Sequence, residues 1–134
     1  NRQSSRVYLI DDESKIENVL KLQAGSRGFG DKIDKLLMIS YDIKSYQGVG
    51  DRNTGYIDAS LFAMTLIYSL TFKGIGTVSL NWSKSKELDV MLRDIVDIRD
   101  SHNVVFFIGL GYLNQTTKIA VSARHHTEDV LIYS

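Results

Sequence analysis

The residues of this chain that could do chemistry by type and spacing are two glycine pairs, a histidine pair and scattered polar groups. Gly74-Ile75-Gly76 and Gly109-Leu110-Gly111 have the spacing with which a backbone approaches a nucleotide phosphate. That use needs a strand, Gly-x-Gly-x-x-Gly and a helix in that order. Gly74 instead follows a helical stretch and precedes a strand, Ser79 stands where a third glycine would be, and a polar loop follows Gly111. No Gly-x-x-x-x-Gly-Lys-Ser/Thr occurs, so there is no P-loop. His125 and His126 are adjacent, and adjacent residues of an extended chain point to opposite sides. No histidine lies at helical spacing from them and His102 is distant, so the pair reads as solvated rather than metal-binding. Ser, His and Asp all occur, but without the Gly-x-Ser-x-Gly elbow that presents a nucleophile. Cysteine is absent, which excludes thiolate catalysis, thiolate metal sites and disulfides.

Composition narrows the class further. The 134 residues suit one domain. Hydrophobic content of 43% and charged content of 24% are those of an ordinary globular protein. Sixteen basic residues balance sixteen acidic ones, so no basic excess points to a nucleic-acid partner, and no basic amphipathic stretch points to a membrane surface. Proline is absent. The absence of cysteine is compatible with a cytoplasmic protein.

The elements that must position any site alternate strand and helix, an α/β or α+β layer pattern. Arg6 to Ile10 reads as a strand. Asp11 or Asp12 caps a helix whose apolar spacing runs through Ile16, Val19 and Leu20 to about Gln23. Ala24 to Gly30 is a loop, and a short helical turn is expected near Ile33. Leu36 to Tyr41 is a strand buried on both faces. Ile43 to Gly55 is a long polar connection, of a kind often functional. Ile57 to Lys73 carries apolar residues on every side, with no charge from Leu61 to Thr71. A helix apolar all round is a buried helix, and at ~1.5 Å per residue this one spans about 25 Å, somewhat short for a bilayer. Gly74 stops it, and Thr77 to Leu80 is a short buried strand. Ser83 or Ser85 caps a helix ending near Arg99, with Leu88, Met91, Leu92 and Ile95 as its buried face. Asn103 to Gly109 is a fourth strand, Gly111 to Ala120 a loop, and Asp129 to Tyr133 a last short strand.

Four of these segments together resemble nitroreductase-like flavoenzymes. Asp58 opening the apolar helix, with Gly74-Ile75-Gly76-Thr77 after it, resembles the family's core helix and its Gly-Leu-Gly-Thr ending. Asn1-Arg2-Gln3 before the first strand is similar to the family's Asn-x-Gln-Pro-Trp, with Ser4 and Ser5 in place of Pro and Trp. Leu80-Asn81-Trp82 stands where the family turns a backbone N–H towards the flavin, with Trp82 where many relatives have Gly. Gly109-Leu110-Gly111-Tyr112, then Ser122-Ala123-Arg124 and Glu128-Asp129-Val130, resembles the family's closing segments, with Ser122 where Lys is common.

The resemblance covers nearly the whole chain and implies an α+β fold, a mixed β-sheet flanked by helices with the central helix buried. It implies a single flavin-binding domain over residues 1–134. The family's opening helices, with their Arg-x-Ser-x-Arg-like phosphate grip, have no counterpart, so the chain corresponds to the larger, C-terminal part. The cofactor implied is flavin mononucleotide (FMN), with NADH or NADPH as electron donor and a nitroaromatic- or quinone-type acceptor. The implied cofactor-binding residues are Asn1, Gln3, Leu80, Asn81, Trp82, Ser122 and Arg124, with Arg124 on the phosphate. No side chain is implied as catalytic, because the flavin does the chemistry. A homodimer is implied, in which the C-terminal segment extends the partner's sheet. Two other readings stay open: a different FMN reaction such as reductive dehalogenation, and a flavin-free structural or interaction module retaining the fold.

Overall fold

The structure is a computed structural model that describes residues 2–113 and 121–133. Its strands are β1 (Ser5–Ile10), β2 (Lys35–Asp42), β3 (Ile75–Asn81) and β4 (His102–Tyr112). Its helices are α1 (Glu13–Gln23), α2 (Thr54–Phe72), α3 (Lys86–Ile95) and the single turn α4 (Thr127–Val130). Short 3-10 turns at Gly30–Lys32, Ile43–Ser45 and Val49–Asp51 break up the two long connections. The strands form one sheet in the order β1-β2-β4-β3. Helices flank it, as expected of an α+β fold. Every pairing is antiparallel, whereas a mixed sheet was expected.

The period of two along β2 builds both layers. Leu36 and Met38 face one side, where α1 and α3 bring Ile16, Val19, Leu20 and Leu92 around Phe107. Leu37, Ile39 and Tyr41 face the other, where α2 lays Ala59 and Ala63 over Ile108. A one-residue bulge interrupts the β2–β4 register between Ile39 and Ser40, opposite the step from Phe106 to Val104.

Local chemistry sets the ends. Asp12 caps α1, its carboxylate accepting the Lys15 N–H at 2.8 Å. Gly74 ends α2 with φ +76, a left-handed conformation that glycine adopts without a Cβ penalty.

Three further expectations need correction. First, α2 is not buried all round. Only Gly55, Ala59 and Ala63 are buried, a small-residue stripe that lets the helix sit close on the sheet. At Gly55 a Cβ would collide with the Tyr41 ring. Leu61, Tyr68 and Phe72 are 66%, 67% and 93% exposed. Hydropathy records which side chains avoid water, and one sheet face covers only one side of a helix. By length and composition Val49–Phe72 is apolar enough to cross a membrane. Second, α3 ends at Ile95, before Arg99, and Met91 on its expected buried face is half exposed while Leu92 is fully buried. Third, Asp129 to Tyr133 is no strand. It begins inside α4 and continues as exposed chain outside any strand. A strand needs an edge to pair with, and among the described residues this segment is hydrogen-bonded to none.

Candidate functional site

The residues singled out by sequence fall into three clusters. The first precedes β1. Gln3 is exposed and left-handed, with φ +46, rare for a residue with a side chain. Its carbonyl accepts from Arg6 Nη1 at 2.6 Å. Ser4, next along, is buried, with its Oγ 2.5 Å from the Tyr46 hydroxyl. Asn1 lies outside the described residues.

The second cluster is the end of β3. Leu80 is buried beside Phe107, so only its backbone is available to a ligand. Asn81 is exposed and held by Gln23, whose Nε2 donates to the Asn81 carbonyl at 3.2 Å and to Oδ1 at 3.3 Å. Gln23 Oε1 in turn accepts the Gly25 N–H at 2.6 Å. The indole of Trp82 packs edge-on to Phe107, ring centroids 5.4 Å apart, and its Nε1 donates to Asp89 at 3.3 Å. The side chain of Trp82 is therefore a half-buried packing group. The third cluster is Ser122 and Arg124, both exposed, with Arg124 Nη1 donating to Ser122 Oγ at 2.9 Å.

The antiparallel register places the start of β1, the end of β2, the start of β4 and the end of β3 at one end of the sheet. Asn81, however, is level with Val7 of β1, through Phe106 and Ile39, so Gln3 lies four residues further toward that end. They also lie on opposite edges, three strand spacings or roughly 14 Å apart across the sheet at ~4.8 Å each, with the four-residue offset along the strands in addition. They do not touch within one chain. The larger cleft, about 930 Å³ between α1 and residues 30–35, is lined by charges of both signs, including Glu17, Lys21, Asp31 and Lys32. Of the singled-out residues, only Trp82 lines either of the two main clefts.

Two groups escaped the sequence reading. Gln23 is one, and its signal was a polar residue continuing the buried stripe of Ile16, Val19 and Leu20. The other is His102, buried at the start of β4. Its Nδ1 lies 2.6 Å from the Tyr8 hydroxyl, which also accepts the Arg99 N–H at 3.2 Å. The direction of the Tyr8–His102 bond follows the ring tautomer. Among the described residues Nε2 has no hydrogen-bond partner, and it sits 3.8 Å from the Asp42 carboxylate. Burial pulls the His102 pKa below its usual value; Asp42 opposes this, and Arg6, Arg99 and Arg93 add to it.

No protein-family model matches the sequence, and no curated protein does. Solved structures do match. A nitroreductase family protein from Streptococcus pneumoniae TIGR4 superposes with a TM-score of 0.82 at 15% identity, over 99% of this chain and 80% of its own. The fold is nitroreductase-like. The NADPH:FMN oxidoreductase of Vibrio harveyi, solved with NAD+, gives a TM-score of 0.78 at 14% identity, over 98% of this chain and 59% of that one. An FMN-dependent nitroreductase from Clostridium difficile R20291 gives 0.68 at 16% identity, over 96% and 70%. At such identities it is the nitroreductase-like architecture that is shared. It extends over nearly all of this chain.

Proposed function

We propose that this chain is an FMN-dependent oxidoreductase passing two electrons from NADH or NADPH to an electron-poor small molecule of nitroaromatic or quinone type. The observation that carries this reading is the near-complete match of its fold to an FMN-dependent nitroreductase and an NADPH:FMN oxidoreductase. The donor chemistry fits FMN. Asn81 Oδ1 is taken by Gln23, so its amide NH2 is left to donate to a ring carbonyl. Gln3 offers a second exposed carboxamide, and Arg124 offers a guanidinium suited to a phosphate. When bound, FMN would supply the hydride chemistry, and these residues the binding and orientation.

The reading includes a homodimer. Gln3 and Asn81 sit on opposite sheet edges, so a site built from both draws on two copies or lies along an extended ligand. Two apolar surfaces argue for the second copy. One is the outer face of α2, where Ile57, Leu61, Met64 and Tyr68 are exposed and Asp58 is the only charge on the helix. The other is the tail Leu131 to Tyr133, exposed along its length. An uncharged apolar face offers a charged partner nothing, whereas a second copy of itself would cover it. We place the dimer in the cytoplasm.

The test is an anaerobic titration of the purified chain with FMN, followed by NADPH or NADH. A bound flavin whose absorbance near 450 nm bleaches on adding nicotinamide supports the proposal. Protein that leaves added FMN unbound would overturn it in favour of a flavin-free module, the reading that the core-packed Trp82 indole favours.

A further inference from the structure

Gln3 adopts a backbone conformation that residues with side chains rarely take, and a free N-terminal segment would relax out of it. Both of its neighbours are fixed, and on the same side chain. The Arg2 guanidinium lies over the Tyr46 ring, 5.3 Å from its centroid, and pairs with Asp51 at 2.9 Å. Ser4 Oγ meets the Tyr46 hydroxyl at 2.5 Å, and the Ser4 carbonyl accepts the Asp42 N–H at 2.9 Å. Gln3, between them, is left exposed.

The direction of the hydroxyl chain follows from its far end. Tyr46 donates to Asp58 Oδ2 at 2.9 Å, and an ionised carboxylate can only accept. The Tyr46 oxygen must then accept from Ser4, giving Ser4 to Tyr46 to Asp58. Burial raises the Tyr46 pKa, the Ser4 bond lowers it and Asp58 raises it again, for a net rise that keeps the phenol neutral. Tyr41 braces the ring edge-on, with centroids 5.8 Å apart. Asp58 belongs to the first turns of α2, so the chain ties the N-terminal segment to the helix on the sheet.

We infer that Tyr46 is a positioning residue: through Arg2 and Ser4 it holds Gln3 in the left-handed shape that presents its carboxamide to the flavin. The inference rests on the flavin reading above. It also accounts for Ser4 standing where the resembling family carries proline. A proline ring stiffens the chain covalently, and here a buried hydrogen bond does so.

The experiment compares the wild-type chain with Tyr46→Phe, which keeps the ring under Arg2 and removes the hydroxyl. Two quantities are read. One is amide hydrogen exchange at residues 3–6 without flavin. The other is FMN affinity by fluorescence titration for wild type, Tyr46→Phe, Gln3→Ala and the double variant. Exchange at residues 3–6 should speed up in Tyr46→Phe while β3 and β4 stay protected. FMN affinity should fall about tenfold, and the loss should vanish on the Gln3→Ala background, because Tyr46 acts through Gln3. Ser4→Ala breaks the same chain from its other end and should reproduce both effects if Tyr46→Phe folds poorly. Unchanged exchange, unchanged affinity, or a tenfold loss that persists beside Gln3→Ala overturns the inference alone. A wild-type chain that binds no FMN overturns the functional reading and this inference with it.

Discussion

The buried carboxamide of Gln23, in the last turn of α1, donates to both the backbone carbonyl and the side chain of Asn81 at the end of β3. It joins two elements 58 residues apart in sequence at the place where the proposed ligand would meet backbone. Replacing Gln23 by Leu keeps much of the volume and removes three hydrogen bonds. The Gly25 N–H loses its acceptor and the Asn81 carbonyl its donor. Unmaking part-buried bonds of this kind costs about 1–3 kcal/mol. Urea unfolding of Gln23→Leu should show that loss with an unchanged m-value, and FMN affinity should fall as Asn81 is released. Wild-type stability in the variant would mean that water replaces the carboxamide without cost.

His102 gives the fold an acid limit above that of its carboxylates. Its folded-state pKa lies below the unfolded value of roughly 6.5. Above that pH both states are neutral at this residue. As pH falls through it, the unfolded chain takes up a proton that the folded chain refuses, so stability falls until the folded pKa is reached. Asp42 acts lower down. Burial pushes its carboxyl up, but the Lys44 N–H, the Ser101 hydroxyl and the charges of His102 and Arg6 outweigh that and hold it low. Its contribution is therefore present above about pH 4 and lost below. Unfolding free energy measured from pH 8 to 5 should decline for the wild type and flatten for His102→Gln. Parallel curves would show that His102 does not titrate differently on folding.

The outer face of α2 should decide assembly. Leu61 is two-thirds exposed in one chain, so Leu61→Glu removes no core contact. If that face meets a second copy, the two glutamates would be buried together without partners, a cost of several kcal/mol for unpaired buried charge. Sedimentation equilibrium at micromolar concentration should show a wild-type dimer and a Leu61→Glu monomer with the same circular dichroism. A wild-type monomer would remove the dimer from the proposal.

These tests fall where sequence patterns stop. The capped start of α1 at Asp12, the two-faced β2 and the stop at Gly74 were all legible, because each is a local rule of capping, alternation or backbone freedom. The exposure of Leu61 and Tyr68 was not, because an apolar helix reads the same whether a sheet or another molecule covers it. The segment Asp129 to Tyr133 has strand-forming residues, but pairing is a property of two strands, and among the described residues none pairs with it. Gln23 is a single polar residue in the buried stripe of α1, and His102 sits between Ser101 and Asn103 in a polar stretch with nothing local to mark it as buried. What they bind comes from elements 58 and 94 residues away, a distance no local pattern spans.

Arg124 carries the most direct test of the phosphate end of the site. The guanidinium is exposed, and its one hydrogen bond among the described residues goes to Ser122 Oγ. That bond uses one of five donors and fixes the side chain along the Ser122 side, leaving the rest for an anion. A phosphate dianion accepts two parallel N–H bonds from one guanidinium, and bonds to charged groups are worth about 1.5–3 kcal/mol each. Ser122 brings a hydroxyl and no charge, so it cannot stand in for the arginine. Arg124→Ala should weaken FMN binding by roughly ten- to a hundredfold, and Arg124→Lys should recover only part of it, because an ammonium lacks the two-pronged geometry. Riboflavin, which has no phosphate, should bind wild type and Arg124→Ala alike. The melting temperature of the flavin-free protein should not move, since an exposed side chain with one surface hydrogen bond contributes little to the fold. Equal loss for riboflavin and FMN would take Arg124 off the phosphate. A collapsed melting temperature would make its role structural.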